Sequence, residues 1–466
     1  MRWFLSLLVL GIYYGAVQAL SSSGSRLLVI QEESSEKPLY STFWADLESR
    51  GYSITFTTPK DEKLSLFQYG VRAYDHLLVL PPKSKGLGPA LTPKALLDFV
   101  NDEGNIILAL SGGSPTPSSI TSLLLELDIS LSPDRAPVVA DHFNYDTVSS
   151  ADFHDTLLIS QPGKLRPGVK NYFAGDGILA FPKSAGQLLG NASPLLAPIL
   201  QAPETAYSYD AKDIDAPVED TFAMGSQIAL VSAMQARNSA RVTVLGSVES
   251  LQDKWFSATV KGPKEGKESK TANREFAKQL TAWTFKEIGV VRMRKIQHYL
   301  SETASTSPAL LNDSSPTMYR IKNNVTFNIE LSEYDYDHWV PFKVPETDAL
   351  QLEFAMLSPF HRLNLKPIYE TESGAVYGTS FILPDQHGIF SFRINYKRPF
   401  LTNVVEKHEV TVRHFAHDEW PRSWEITGGW VWIAGLWSVV GGFLAFVMAW
   451  LYSAPPKEED PVKKKQ

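Results

Sequence analysis

Apolar and polar residues alternate in blocks along the amino-terminal part of the chain. Continuous apolar runs at 27–30, 53–56, 76–80 and 106–110 are typical of strands buried on both faces of a sheet. Amphipathic stretches between them predict helices over 40–50 and 93–102. The second helix has Thr92 as its N-cap, Pro93 in its first position and Gly104 after its end. This alternation predicts a parallel α/β sheet of the Rossmann or flavodoxin kind.

The middle of the chain carries a weaker pattern. Apolar runs at 228–234 and 241–245 predict further buried strands, and 274–288 predicts a helix capped by Asn273. A stretch rich in Ser, Thr and Pro at 301–317 then predicts a domain boundary.

Beyond that boundary the apolar period changes to two. Apolar residues alternate with polar neighbours in four segments: Val325 to Leu331, Leu350 to Met356, Phe390 to Tyr396, and Val410 to Val412. Half-buried strands of this kind, separated by turn signals, predict an antiparallel β-sandwich.

The carboxyl-terminal region contains one long apolar segment. No charged residue or histidine occurs from 426 to 453, and Trp430, Trp432, Trp450 and Tyr452 lie near its two ends. A helix of this length crosses the hydrocarbon layer of about 30 Å, and aromatic rings favour the headgroup level. We therefore predict a single transmembrane helix at 427–452.

The chain begins with the features of a cleavable secretory signal. Arg2 precedes an apolar core at 3–17, and Ala19 supplies the small residue before a cleavage site. This predicts a signal peptide at 1–19, although an uncleaved anchor or a buried hairpin is the alternative. The sequence then divides into a luminal α/β domain at 20–300, a luminal sandwich at 317–425, and a cytosolic tail at 453–466 that carries the lysines expected on that side.

The tail ends in Lys463-Lys464-Lys465-Gln466. Lys463 and Lys464 stand four and three positions from the carboxyl end and resemble the dilysine retrieval signal of the endoplasmic reticulum, although a basic stop-transfer flank would also explain their charge. The pattern predicts a single-pass type I protein of the endoplasmic reticulum membrane, with its bulk in the lumen.

The amino-acid composition limits which ligands and which active-site residues the chain can have. The net charge of -7 gives no support for nucleic-acid binding. There is no cysteine, which excludes a cysteine nucleophile and a thiolate metal site and leaves the luminal fold to be held by packing.

Searches for an active site lead to weak candidates. Ser111 follows a predicted strand but lacks the nucleophile-elbow motif, and Gly86-Leu87-Gly88 lacks the third glycine of a dinucleotide fingerprint. The acidic residues that could hold a divalent cation are Asp210, Asp213, Asp215, Glu219, Asp220, Asp335 and Asp337. Two histidines, His414 and His417, lie close together in sequence. None has the spacing of a known ligand set, so we predict no catalytic residue, no metal and no cofactor.

Two other patterns concern modification and association. Asn-x-Ser/Thr sequons at Asn191, Asn312 and Asn324 are candidate glycosylation sites on the predicted luminal side. Small residues recur along the apolar helix in two adjacent lines, which would let another membrane helix approach closely: Ala434, Ser438 and Gly442, and Gly441, Ala445 and Ala449. A lone anchor rich in small residues is the alternative.

Short motifs in chain order resemble one protein family. They are Gln235-Ala236-Arg237-Asn238, Tyr319-Arg320-Ile321-Lys322, Trp339-Val340-Pro341-Phe342, Ser358-Pro359-Phe360 and Leu383-Pro384-Asp385. Together they resemble the beta subunit of oligosaccharyltransferase, the wheat-germ-agglutinin-binding protein or 48 kDa subunit family. The resemblance spans the luminal region and extends to the single span and the tail.

The resemblance implies a non-catalytic, structural and substrate-organising subunit. The complex transfers a preassembled oligosaccharide from dolichyl diphosphate to the Asn of Asn-x-Ser/Thr in nascent proteins. The family's catalytic centre lies in a multispanning subunit with a Trp-Trp-Asp-Tyr-Gly motif, which this sequence lacks. Implied partners are that subunit, a ribophorin-like subunit and a small multispanning, defender-against-death-like subunit, with the dolichyl-diphosphate oligosaccharide as a candidate ligand. The alternatives are a membrane-anchored luminal glycan-processing enzyme and a lectin-like cargo receptor.

Overall fold

The computed structural model of the chain describes residues 20–455 except 83, 85, 135–136, 164, 166–168, 191–192, 212–220, 264–267, 305–314 and 421–427. The chain forms two compact units, the first ending at Arg413 and the second beginning at His414. The predicted signal segment 1–19 and the lysines Lys463 and Lys464 lie outside the described residues.

The amino-terminal part of the first unit combines strands with short helices. Its strands are β1 (Arg26–Ile30), β2 (Ser53–Thr57), β3 (Phe67–Gln68), β4 (Val71–Arg72), β5 (His76–Val79), β6 (Asn105–Ala109), β7 (Ile129–Leu131), β8 (Pro137–Ala140), β9 (Thr156–Ser160), β10 (Ile178–Pro182), β11 (Gln187–Leu189), β12 (Leu196–Gln201), β13 (Tyr207–Asp210), β14 (Ile228–Gln235), β15 (Arg241–Leu245), β16 (Thr259–Val260) and β17 (Ser269–Lys270). Its α-helices are α1 (Ser41–Ser49), α2 (Pro93–Asn101), α3 (Ser118–Glu126), α4 (Asp253–Phe256) and α5 (Asn273–Thr284). Short 3-10 helices occur at Ser34–Tyr40, Pro89–Leu91, Gly225–Gln227 and Val248–Leu251.

A nine-stranded mixed sheet organises this part. Its order is β2-β1-β5-β6-β15-β14-β11-β7, with β12 also paired to β14. The strands from β2 to β15 run parallel, and those from β14 onward pair antiparallel. On β1, Leu27 and Val29 pack in the core that includes α1 and α5, whereas Leu28 and Ile30 pack in the core that includes α2 and α3. Burial on both faces explains the continuous apolar runs of the sequence.

Most of the predicted strands and helices here are confirmed to within two residues. The N-cap prediction for α2 is also confirmed, because the Ala95 N–H donates to Thr92 Oγ1 over 3.2 Å. The start of the helix predicted over 274–288 is confirmed to within one residue, but its end and its N-cap were predicted wrongly. Helix α5 ends at Thr284, and its N-cap is Ala272. The Asn273 side chain instead bonds both backbone groups of Ala180, at 2.9 and 2.8 Å.

The remainder of the first unit is almost entirely strand. Its elements are β18 (Ile288–Leu300), β19 (Met318–Arg320), β20 (Asn324–Asp335), β21 (His338–Pro341), β22 (Gln351–Ala355), β23 (Pro359–Asn364), β24 (Lys366–Glu370), β25 (Ala375–Ile382), β26 (Gly388–Tyr396), β27 (Val404–Arg413) and the short helix α6 (Ser301–Ala304). One five-stranded sheet has the order β18-β20-β25-β24, with β21 on β20, and the other has the order β19-β27-β26-β22-β23.

Aromatic rings connect these two sheets. Phe327 on β20 lies 5.1 Å from Phe392 on β26, and Phe354 on β22 lies 5.5 Å from Phe381 on β25, between ring centroids. The apolar residues of the predicted alternation on β20 and β26 are buried as expected. Strand β18, which the sequence did not predict, replaces the end of the mispredicted helix. Antiparallel pairing dominates, although β19 pairs with β27 in parallel.

The second unit contains helix α7 (Gly429–Leu451), close to the predicted span. Within the described part of the chain, it is the one helix whose length and apolar composition suffice to cross a membrane. No residue of the helix is buried in the isolated chain, so its apolar side chains require a nonaqueous surrounding.

A buried arginine joins the two parts of the first unit. Arg241 on β15 is completely buried. Its guanidinium donates to the carbonyl oxygens of Trp283, Ile288 (2.8 Å) and Gly289 (2.6 Å), at the connection between α5 and β18. The guanidinium carbon also lies 4.8 Å from the Trp283 ring centroid. Burial lowers the pKa of Arg241 to about 9.

The same connection contacts the last part of the β-rich region. Trp283 Nε1–H donates to the Phe400 carbonyl over 2.8 Å, and Thr402 N–H donates to the Gly289 carbonyl over 3.1 Å. Gly289 has φ of 69°, and a Cβ there would lie 2.7 Å from the Phe400 carbonyl oxygen. A glycine is therefore required where these backbones meet.

Replacing Arg241 should strongly destabilise the chain. We expect Arg241→Met to lower the free energy of unfolding by about 3–5 kcal/mol, because three buried carbonyl groups each lose the hydrogen bond from the guanidinium. Denaturation of the detergent-solubilised chain, followed by tryptophan fluorescence, measures this loss. The exposed Arg237 supplies the control, and Arg237→Met should change stability by less than about 0.5 kcal/mol. Equal losses in both variants would contradict the role given to Arg241.

Stability should also fall in mild acid because of a buried histidine. His76 on β5 is completely buried, and burial lowers its pKa to about 4. As pH falls below 6.5, the unfolded chain binds a proton that the folded chain excludes until pH approaches 4. The contribution of neutral His76 is thus complete above pH 6.5 and is lost on acidification, by about 2 kcal/mol between pH 7 and pH 5.

Unfolding curves at those two pH values test this dependence. His76→Gln should reduce the difference in stability between pH 7 and pH 5 by about 2 kcal/mol, even if its stability at pH 7 is lower. His387→Gln, at an exposed position, should keep the wild-type difference. If His76→Gln retained the full pH dependence of stability, that dependence would come from other groups.

Candidate functional site

The predicted catalytic candidates that the structure describes do not converge. Ser111 Oγ accepts a weak hydrogen bond from Gly113 N–H at 3.4 Å, with no histidine bonded to it among the described residues. Asp335 ends β20, whereas Asp337 contacts the neighbouring His338 at 2.5 Å. Over the described ranges, no three histidine or acidic side chains form a group that could hold a metal ion.

The acidic cluster of the sequence falls largely outside the described residues. Asp213, Asp215, Glu219 and Asp220 all belong to the omitted segment 212–220, and Asp210 ends β13. His414 and His417 lie in the second unit, after the last strand. The metal-binding potential of the cluster therefore stays a hypothesis from sequence.

The structure instead pairs histidines that are distant in sequence. His142 contacts His154 through their Nδ1 atoms, and its Nε2 lies 2.9 Å from the Tyr207 hydroxyl. In the β-rich part, His298 Nε2 lies 2.7 Å from His408 Nδ1. Burial, and then the charge of His408, lowers the pKa of His298 to about 4. No sequence spacing could reveal either pair, because each joins separate strands or loops.

The small residues of α7 occupy a surface that is free in the isolated chain. Ala434, Ser438, Gly441, Gly442, Ala445 and Ala449 are all exposed. A Cβ added at Gly441 or Gly442 would meet no atom within 4 Å. The predicted close approach of another helix is sterically open, and packing against a partner stays a prediction.

One sequon can be placed in the fold. Asn324 is exposed at the first position of β20. Thr326, the third residue of this sequon, bonds through its hydroxyl to Ser301 and Ser380, at 2.8 and 2.7 Å. Asn191 and Asn312 lie outside the described residues.

A candidate binding feature is a cleft beside the Arg241 connection. The name cleft is used for a cavity of about 580 Å³ between the end of β14, the start of β12 and the segment 397–403. This size is within the usual range of small-molecule sites. Its lining comprises Pro194, Leu195, Ala197, Ala233, Gln235, Arg237, Trp283, Lys397, Arg398, Pro399, Phe400 and Asn403.

A buried amide faces this cleft. Gln235, at the end of β14, is only 7% exposed. Its Nε2 donates to the Leu401 carbonyl, which fixes the orientation of the amide. Its Oε1 is buried and accepts no hydrogen bond within the described structure. An unpaired buried acceptor is unfavourable, and this oxygen atom is itself closed to the cleft.

The cleft also carries positive charge. Arg398 is paired with Asp348, to which its Nε donates over 2.6 Å. Arg237 and Lys397 are exposed, and no ion pair of either is found among the described residues. The cleft therefore combines apolar walls with two exposed cations. The sequence could not reveal the cleft because its residues come from four separate segments, although Gln235 and Arg237 belong to one of the quoted motifs.

Comparison with known proteins relates the sequence of this chain to one family. Two family models cover most of the chain: "OST48, N-terminal domain" matches residues 18–287, and "OST48 middle domain" matches residues 301–454. The chain is 34% identical over 428 residues to a Schizosaccharomyces pombe protein named dolichyl-diphosphooligosaccharide–protein glycosyltransferase subunit wbp1, covering 92% of each chain. It is 30% identical over 469 residues to the Caenorhabditis elegans 48 kDa subunit of the same transferase, covering 99% of this chain and 97% of the relative.

Similarity to solved structures is weaker. A ThuA-like protein from Parabacteroides merdae aligns with 47% of this chain and 78% of its own, at 12% identity and a TM-score of 0.26. A likeness of that extent carries no inference about ligand or activity.

Proposed function

Since this chain belongs to the OST48 family, we propose that it is a non-catalytic subunit of an oligosaccharyltransferase complex. The proposal rests on sequence similarity. This chain is similar, over almost their entire length, to relatives named as subunits of the dolichyl-diphosphooligosaccharide–protein transferase. Its role is to organise the complex that transfers a preassembled oligosaccharide from dolichyl diphosphate to Asn in nascent proteins. The chemistry takes place in a separate multispanning subunit, because the Trp-Trp-Asp-Tyr-Gly motif of that subunit does not occur here.

The finer architecture belongs to the same proposal. The parallel strands from β2 to β15, covered by helices, support a Rossmann-like or flavodoxin-like domain at 20–300. The ring contacts between the two five-stranded sheets support a β-sandwich at 317–425.

The topology follows from the termini and the apolar helix. A signal peptide at 1–19, the span at 427–452 and the tail at 453–466 make a type I protein of the endoplasmic reticulum membrane, retained through Lys463 and Lys464. The exposed small residues of α7 support packing against membrane helices of the catalytic subunit or of the defender-against-death-like subunit. The ribophorin-like subunit completes the proposed set of partners.

Purification of the tagged full chain in mild detergent tests this function. We expect a multispanning subunit and transfer of oligosaccharide to an Asn-x-Thr peptide to co-purify with it. Asp335→Ala with Asp337→Ala should leave that activity unchanged. A chain that is recovered alone, or that turns over a sugar substrate by itself, would refute the subunit assignment.

A substitution pair on α7 extends the same assay to the membrane. Gly442→Leu with Ala445→Leu should lower the recovered catalytic subunit by about tenfold, because bulk on the small-residue surface prevents close approach. Val440→Leu adds bulk on the opposite side of the helix and should leave recovery unchanged. Recovery that is unaffected by the double substitution would mean that this surface does not carry the contact.

Glycosylation of Asn324 tests the orientation of the β-rich part. If this part is luminal, the exposed sequon should carry a glycan, and Asn324→Gln should increase the electrophoretic mobility of the chain. Endoglycosidase treatment should remove the difference, whether or not other sequons are occupied. The exposed Asn364 lies outside any sequon, so Asn364→Gln should not alter mobility. If the mobility of Asn324→Gln were unchanged, this sequon would carry no glycan.

A further inference from the structure

We propose that His142 and His154 bind a divalent transition-metal ion, which joins the two ends of the loop between them. This inference goes beyond the proposed function and does not depend on it. The two histidines are 12 positions apart in sequence, and their Nδ1 atoms face each other in direct contact. Imidazole nitrogens are ligands that Zn²⁺ and Cu²⁺ prefer, and here two of them converge on one place.

The backbone holds the two histidines beside each other. Asp141 N–H donates to the His154 carbonyl over 3.2 Å, so the residue before one histidine is bonded to the other. The Asp141 side chain is fully buried, and it accepts hydrogen bonds from Phe143 N–H and from the Thr205 hydroxyl, each over 2.8 Å. The positions of both ligands are therefore fixed before any ion binds.

His154 has a backbone conformation that side chains rarely adopt. Its φ is 51°, and its N–H donates to the Ser150 carbonyl over 3.1 Å. Its ring lies against the Tyr145 ring, with 3.9 Å between the centroids and 31° between the planes. Residues held in the left-handed region by their surroundings cluster at binding sites. The backbone and the Tyr145 ring together fix the direction of the His154 side chain.

His142 has the supporting contact that is typical of a metal ligand. Its Nε2 lies 2.9 Å from the hydroxyl oxygen of Tyr207 on β13. A histidine that binds an ion through one ring nitrogen usually donates its other N–H to a fixed acceptor, which sets the tautomer. With the proton on Nε2, the Nδ1 atom of His142 presents its lone pair toward His154.

The site is open to solvent on the side of His142. His142 is exposed, whereas His154 is half-buried. Zn–N bonds of about 2.0 Å at tetrahedral angles separate two ligand nitrogens by about 3.3 Å, so the exposed His142 ring turns outward when an ion enters. Across the described ranges no third histidine or acidic ligand joins the pair. Water fills the remaining positions, and the ion exchanges more readily than in a closed site with four protein ligands.

An ion at this position acts as a cross-link. The chain has no cysteine, so no disulfide can join its loops. A metal ion that joins two segments binds the folded chain and not the unfolded one, and it therefore raises the melting temperature. The role of the ion is to stabilise the loop at 143–153, not to take part in catalysis.

Titration calorimetry of the full chain in detergent, after removal of bound metal with a chelator, provides the test. The probes are Zn²⁺ and Mg²⁺, two ions of equal charge. We expect Zn²⁺ to bind at least about tenfold more tightly than Mg²⁺, because Mg²⁺ prefers oxygen ligands. At a free concentration about a hundred times its Kd, Zn²⁺ should also raise the melting temperature by about 2–3 °C.

Matched variants locate the binding. His142→Ala and His154→Ala should each lower the affinity for Zn²⁺ by about tenfold or more, whereas His387→Ala, at an exposed position elsewhere, should not. Tyr207→Phe removes the acceptor for His142 Nε2–H and should lower the affinity by about tenfold, whereas Tyr209→Phe on the same strand should not. Zinc bound elsewhere on the chain persists in every variant, so only the difference between variants counts.

A pair of histidines joined by a hydrogen bond, without a metal, is the competing explanation. Equal affinity of Zn²⁺ for the wild type and for His142→Ala would then be measured, and the site would be overturned. Because His142 is exposed, His142→Ala should keep the melting temperature of the metal-free wild type, which verifies that it folds. Loss of affinity in the site variants and not in the controls would establish the site. Transfer activity that co-purifies with the chain is measured separately, so either result leaves the subunit assignment untouched.

Discussion

The burial of one guanidinium determines how the two parts of the first unit are joined. Arg241 leaves water entirely, and such a charge is tolerated only when its donors are met by well-placed acceptors. The acceptors here are backbone carbonyls at the end of α5 and the start of β18. Because backbone carbonyls have fixed positions, the arginine specifies where the chain leaves the mixed sheet and enters the β-rich part. The Trp283 ring beside the guanidinium then reaches Phe400, so one interaction defines both sides of the connection.

A second buried charge supports the same connection from the other side. Glu287 accepts hydrogen bonds from Arg50 at 2.9 and 3.1 Å and from the Tyr52 hydroxyl at 2.6 Å. Burial, together with the Glu287 charge, raises the pKa of Tyr52 well above its ordinary value, so the hydroxyl keeps the proton that it donates. Two oppositely charged groups thus hold successive residues of a short segment whose conformation includes Lys286 at φ of 60°. Because the chain has no cysteine, packing and hydrogen bonds alone fix the conformation of this segment.

The sequence revealed the parts of the fold in which local pattern and tertiary surroundings agree. Strand β1 is apolar from Leu27 to Ile30 because both of its faces are covered there, and β20 alternates because one face is not. The end of α5 was mispredicted because Ile288 continues a helical spacing, whereas Arg241 and Glu287 require a break before it. Asn273 has the identity of a cap, yet its amide serves β10. The cleft and the histidine pairs could not be predicted, since each depends on residues brought together only by the completed fold.

The order in which this connection becomes complete has a consequence for biosynthesis. Chains emerge from the ribosome amino end first, and domains fold as their residues become available. Arg241 can find its carbonyl partners once Gly289 has emerged, but Phe400 and Thr402 reach Trp283 and Gly289 much later. By then the chain has almost arrived at Gly429, where the apolar helix begins. Completion of the contacts within the first unit and synthesis of the apolar helix therefore follow each other closely.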